Sequence, residues 1–504
     1  MSAAIANIKS HFAHWREWEL NPIVIKELRQ GVRSWSVTGM LMLFLVVLFL
    51  AAVLLLVTES LDLNASMELG GRMFAVFVVI LAGASLLFIP LYTGIRVAAE
   101  RQDNNPDLLY VSTLSPTRII FGKFLCSAYL VLLFFSACMP FMVFTNLLRG
   151  VDLPSVFFVL GFLFLIVCAA NMMAIFLACL PLSRPFKFLF LLFGVLLSVA
   201  QLVFLAEISS EFMRSGVGYM MSRGDFWVST LTAVGVGVAV IGLLFVISVA
   251  LISPPSANRA LPVRLYLTGC WLVGCFVSLG WVVKAKDPER LLVWTFCTVV
   301  VLILAIVVVI SNADRLSQRV RCRIPASLFK RLLACLFFNG AAGGLVWLAG
   351  LFAATDLITR VVMAEYSSHA LSEADQRSYL TLGLYVFAYA LTAIFIQRRF
   401  FPRRPPKLTG LLAMLLAAGW ALAPSIFLFF ANRLSWKSIE GLQLGNVFNV
   451  FYNRDGSQLI WHEYFAAAWL FVILAVNAGW FWRQWVAFRP APKTSEPTAA
   501  EPTE

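Results

Sequence analysis

Charge is what this sequence has least of. Its 504 residues carry 39 Lys/Arg and 26 Asp/Glu, 13% of the chain, where a soluble protein of this size carries roughly 25%. Long stretches have no charge at all, and 61% of the residues are hydrophobic. That deficit is too large for a buried core to explain. It points to an all-α polytopic membrane protein.

Other absences narrow the function. No GxxxxGK[ST] phosphate loop is present; Gly122-Lys123 has Thr117 where the upstream glycine would stand. No HExxH motif, Cys/His cluster or Ser/His/Asp grouping is apparent, so no catalytic residue, metal site or cofactor is expected and the chain is read as a non-enzyme. The four histidines, His11, His14, His369 and His462, are scattered outside the apolar runs. Eight of the nine cysteines lie in apolar runs and Cys322 in a basic loop, which excludes a disulfide framework. No cleavable signal peptide precedes the first apolar run, so that run is expected to stay as an anchor.

Twelve charge-free runs are present, each near the ~20 residues that cross a bilayer. They are 37–57, 73–95, 124–145, 155–180, 188–206, 228–252, 265–283, 291–311, 332–354, 379–396, 408–430 and 464–482. On this reading every charge lies in a loop. With both termini cytoplasmic, 27 of the 39 Lys/Arg fall inside, against 10 of the 26 acidic residues. This asymmetry follows the positive-inside bias and accounts for the net charge of +13 without nucleic acid. Two inner loops are strongly basic: Arg315, Arg319, Arg321, Arg323, Lys330 and Arg331 in one, and Arg398, Arg399, Arg403, Arg404 and Lys407 in the other. Anionic lipid headgroups explain them. The outer loops 355–378 and 431–463 are long, the second with a short helix or hairpin expected on the outer surface. The tail 486–504 reads as disordered.

Two polar stretches stand out. Before the first span, Ile25, Leu28, Val32 and Trp35 recur at helical spacing, with Lys26, Glu27, Arg29, Gln30 and Arg33 between them. This predicts an amphipathic helix in the membrane interface over 1–35. Between the second and third runs, Glu100–Arg118 is the longest early polar segment. Asn105 caps a short helix there, Pro106 opens it and Asp107 lies in its first turn. Gly340 with Gly344, and Gly235 with Gly237, predict close helix packing.

The stretch Asn21-Pro22-Ile23-Val24-Ile25-Lys26-Glu27-Leu28-Arg29 resembles the N-terminal elbow of ABC transporter permeases of the type-2 exporter class. Glu100-Arg101, Asp107-Leu108-Leu109, Leu114-Ser115-Pro116 and Gly122-Lys123 resemble the loop after their second span. Asn104-Asn105 stands where that loop has Gly-Thr, and Thr113 where it has Pro. The resemblance covers about the first 250 residues; 253–485 adds six spans beyond the family's usual unit of 36–252. It implies a bacterial inner-membrane permease subunit of an export complex, paired as a homodimer or heterodimer and energised by a separate ATP-binding subunit. Glu100, Arg101 and Asp107 would make polar contacts with that ATPase, with Ser115 at the end of the docking loop 96–123. Leu108 and Leu109 would fill an apolar groove on the ATPase, and Lys26, Glu27 and Arg29 would mark the elbow. The uncharged spans point to a lipid, peptide or hydrophobic cargo. The alternatives are a non-transporting membrane scaffold that binds partners through its outer loops, and a membrane-embedded transferase using the acidic loop residues.

Overall fold

The computed structural model describes residues 22–59, 69–103, 115–148, 151–180, most of 192–203, 224–254, 256–285, 289–312, 316–366, 373–430, 443–452 and 456–490. The described residues are mostly helical, and none of them forms a strand. Ten helices among them are long and apolar enough to cross a bilayer. The chain divides into two compact units, Met1–Pro254 and Pro255–Glu504.

The first unit opens with α1 (Pro22–Val32) and α2 (Trp35–Glu59). The second span is one continuous helical rod: α3 (Leu69–Gly83), a π-helical turn (Ala84–Phe88) and α4 (Ile89–Asp103). The buried Ser85 hydroxyl in the π turn returns to the Leu81 carbonyl at 2.6 Å, so the wider turn buries no free hydroxyl. Next come α5 (Pro116–Leu147), α6 (Leu153–Cys179) and α7 (Gly224–Ile252). Ser115 caps α5, its hydroxyl accepting from the Arg118 amide, and Pro116 takes the first helical position, where no amide is needed. Phe44, Phe74, Phe77, Leu81 and Phe134 form the centre of this unit, with the Phe44 and Phe134 rings 5.3 Å apart. Gly237 of α7 faces Leu165, where a Cβ would collide.

The second unit contains α8 (Ala260–Ala285), α9 (Glu289–Ile310), α10 (Gln318–Arg321), α11 (Leu328–Phe337), α12 (Ala341–Tyr366), α13 (Glu373–Phe400), α14 (Leu408–Phe430), α15 (Asn449–Tyr452) and α16 (Gly456–Ala487). Helices α13 and α16 pack along each other, as do α9 and α12. Leu348, Ala390, Ile394 and Trp480 are buried in its core.

The structure redraws several expected boundaries. Run 332–354 is not one helix. It breaks at Phe338–Gly340, where Gly340 has φ +139, and the membrane-length helix is α12. Gly340 and Gly344 therefore do not share a helical face. The expected outer loop 355–378 is helical through Tyr366, with Thr355 and Thr359 buried. Charge is also not confined to loops. The helices outrun the apolar stretches and carry Arg96, Glu100, Lys123, Arg264, Asp356, Arg360 and His462 into helical segments. Part of the long loop 431–463 is packed inward, with Val450 of α15 buried beside Tyr385 and Tyr389. The chain also stays ordered past residue 486: α16 runs to Ala487, and Phe488 is buried with its ring 5.9 Å from Phe338. Run 408–430 is helical, with a shorter apolar stretch over Leu408–Pro424. Most of run 188–206 and both termini lie outside the described residues.

Candidate functional site

Helix α1 buries Val24, Glu27 and Gly31, positions three and four residues apart on one face. Most of the expected apolar stripe is not on that face, and Leu28 is only half-buried. Ile25, Val32 and Trp35 are exposed, Trp35 by 86%. A carboxylate thus occupies the inward face, and it needs a partner there.

The partner is Lys123, near the start of α5. Its Nζ donates to Glu27 Oε1 at 3.0 Å and also to the Glu100 carboxylate at the end of the second span. From α4, Arg96 lies 3.9 Å from the Glu27 carboxylate and donates to Gln30 Oε1 at 2.6 Å and to the Tyr92 hydroxyl at 2.8 Å. Two carboxylates and two cations from three helices form one neutral cluster. Burial decides which pairs matter. The Glu27 and Lys123 side chains are 9% and 10% exposed, whereas Glu100 is 34% exposed. Removing one partner of a buried pair costs about 3–5 kcal/mol, because the other charge is stranded. Exposed pairs contribute roughly 0–1 kcal/mol.

The cluster is a joint. It fastens α1 to the two helix ends, Asp103 and Pro116, between which residues 104–114 run. Beside it lies an open cleft of about 510 Å³ lined by Arg29, Gln30, Arg33, Ser34, Tyr92 and Arg96. Three guanidinium groups make that cleft suited to carboxylate or phosphate. Among the described residues no group of three or more His, Cys, Asp or Glu is arranged to hold a metal.

Of the residues singled out from sequence, Glu27 and Glu100 are brought together through Lys123. Lys26 and Arg29 are exposed on α1, Arg29 at the cleft. Arg101 lies in α4, and Ser115 is the exposed cap of α5. Asp107, Leu108 and Leu109 lie outside the described residues. Sequence reasoning passed over Lys123 and Arg96 as participants. Lys123 was visible in the Gly122-Lys123 pair, but its partner is 96 residues away. Nothing local reports such a contact.

Comparison with family models, with curated proteins and with solved structures gives no match.

Proposed function

We propose that the chain is the membrane subunit of an ATP-driven exporter and that a separate ATPase drives it through the α1 elbow and the loop between α4 and α5. The reading is carried by one observation: Lys123 joins the elbow to both helices that lead into that loop. A push on residues 104–114 would reach the second span, the third span and the elbow together, because a buried ion pair resists separation. The arginine cleft beside the joint would receive acidic groups of the ATPase. In this reading the membrane is the bacterial inner membrane, and Asp107, Leu108 and Leu109 make the apolar and polar contacts at the loop tip.

The test is a mild-detergent pull-down of the tagged protein from its own host, beside an Asp107→Arg/Leu108→Asp variant. The expected result is an ATPase that comes down with the first and not with the second. If a folded preparation brings down no ATPase, the exporter reading fails and a scaffold role takes its place.

A further inference from the structure

The second unit contains a cavity of about 680 Å³ between α11, α12 and α16, a size within the roughly 300–1,000 Å³ of small-molecule sites. Its walls are mainly apolar, with Leu332, Val346, Leu474, Phe481, Trp482 and Trp485 among them. Arg321, Asn339 and Gln484 supply polar edges, and no acidic residue lines it. The wall is built firmly. Buried Arg264 donates to the carbonyls of Leu336, Phe338 and Gly340 at 2.7–2.9 Å, closing the end of α11. Asn339 accepts from the Ala260 amide at 2.8 Å.

We propose that this cavity holds one anionic glycerophospholipid, with acyl chain among the tryptophans and phosphate at Arg321 and Arg331. Three observations select that occupant. The Arg331 guanidinium lies 5.3 Å from the Trp485 ring, and its buried Nε has no hydrogen-bond partner among the described residues. Arg319, Arg321, Arg323 and Lys330 are exposed around the same segment, a charge excess that an anionic headgroup complements. Helix α11 buries none of its residues and exposes Leu328 and Phe329, as a helix lying in a lipid interface does. The chain's own segment 491–504 is a poor alternative: it has no Leu, Ile, Val, Met or aromatic residue to fill an apolar cavity. The proposal does not depend on the exporter reading.

The experiment uses the full chain, reconstituted in phosphatidylcholine vesicles containing a minority of phosphatidylglycerol, re-extracted in mild detergent and weighed by native mass spectrometry. The expected result is one phosphatidylglycerol retained per chain in preference to phosphatidylcholine. Arg321→Gln and Arg331→Gln should each lower that preference about fivefold, the equivalent of roughly 1 kcal/mol per basic residue near an anionic surface. Ala478→Trp and, from the opposite wall, Val346→Trp should each displace both lipids while circular dichroism stays unchanged. Two filling variants guard against a fold defect in either one. Equal retention of the two lipids by the wild type, or undiminished retention by both folded tryptophan variants, overturns the proposal. So does a lipid-free dimer, which would place a second copy in the cavity, or phosphatidylglycerol retention that rises when 491–504 is deleted, which would assign the cavity to the tail.

Discussion

Lys123 of α5 and Glu27 of α1 meet at 3.0 Å across 96 residues of sequence, both nearly removed from solvent. Lys123→Met removes the hydrogen-bonded cation of the Glu27 carboxylate, leaving only Arg96 at 3.9 Å, and is expected to cost up to about 3–5 kcal/mol. Glu27→Gln in the same chain should recover most of that loss. Thermal unfolding of the two single variants and the double variant in detergent gives the coupling directly. A single-variant cost below about 1 kcal/mol would place the pair with ordinary surface ion pairs and remove the joint.

Arg264 holds the break between α11 and α12 by donating to three carbonyl groups. Each charge-assisted bond contributes roughly 1.5–3 kcal/mol, without simple additivity. Arg264→Met should therefore loosen α11, and Arg264→Lys should do so less. The readout is hydrogen exchange of the amides of 328–340, which should speed up in that order. Identical exchange in both variants and the wild type would refute the clamp.

Cysteine chemistry separates two neighbours. Cys322 is exposed at the end of α10, while Cys335 of α11 is partly buried. Burial pushes the Cys335 thiol above its ordinary value of 9.0, although Arg264 and Arg331 pull the other way. A membrane-impermeant maleimide should label Cys322 quickly and Cys335 slowly. The Cys335 rate should still be climbing above pH 9.0, because its thiolate fraction keeps rising there. The raised value also means that the fold favours the neutral thiol, so its contribution is intact below the ordinary thiol pKa and declines as pH rises past it. Labelling of Cys322 in intact against permeabilised cells reports which side of the membrane α10 faces. Labelling only after permeabilisation is expected for the cytoplasmic orientation.

Gly445 has φ +94, and a Cβ there would collide with the Trp420 indole. Its amide donates to the Tyr385 hydroxyl at 3.1 Å, and its carbonyl accepts from Tyr389 at 2.7 Å. Tyr385 also meets His462 Nδ1 at 3.0 Å. Gly445→Ala should cost at least roughly 1–2 kcal/mol from the left-handed backbone alone. Faster hydrogen exchange over 443–450 is the local signature, and an unchanged melting temperature would count against it.

Asn171 of α6 is fully buried, and neither of its amide atoms finds a partner among the described residues. An unpaired buried polar group costs about 1–3 kcal/mol. Asn171→Leu is thus expected to raise the melting temperature in detergent. A lower one would show that the amide is satisfied by the surrounding unit.

Twelve runs were expected and ten membrane-length helices stand among the described residues; that much was legible because it rests on composition summed over ~20 residues, and hydrocarbon tolerates few charges in such a window. Helix α1 was legible over Pro22–Val32 for a similar reason: Ile25, Leu28 and Val32 recur as a local periodicity. Which face of that helix turns inward was not. Ile25, Val32 and Trp35 point outward, Leu28 is half-buried, and Glu27 turns inward to meet Lys123.

Sequence alone determined that this is a helical, multi-pass chain with long uncharged runs. Hydropathy and periodicity are local sums, and they survive without knowledge of any contact. The tertiary structure alone decided that Glu27, Arg96, Glu100 and Lys123 form one joint, that Gly340 divides run 332–354, and that Arg264 seals the division. Those outcomes depend on which buried charge meets which partner. The stranded-charge penalty that makes such pairing compulsory does not specify, along the chain, where the partner is.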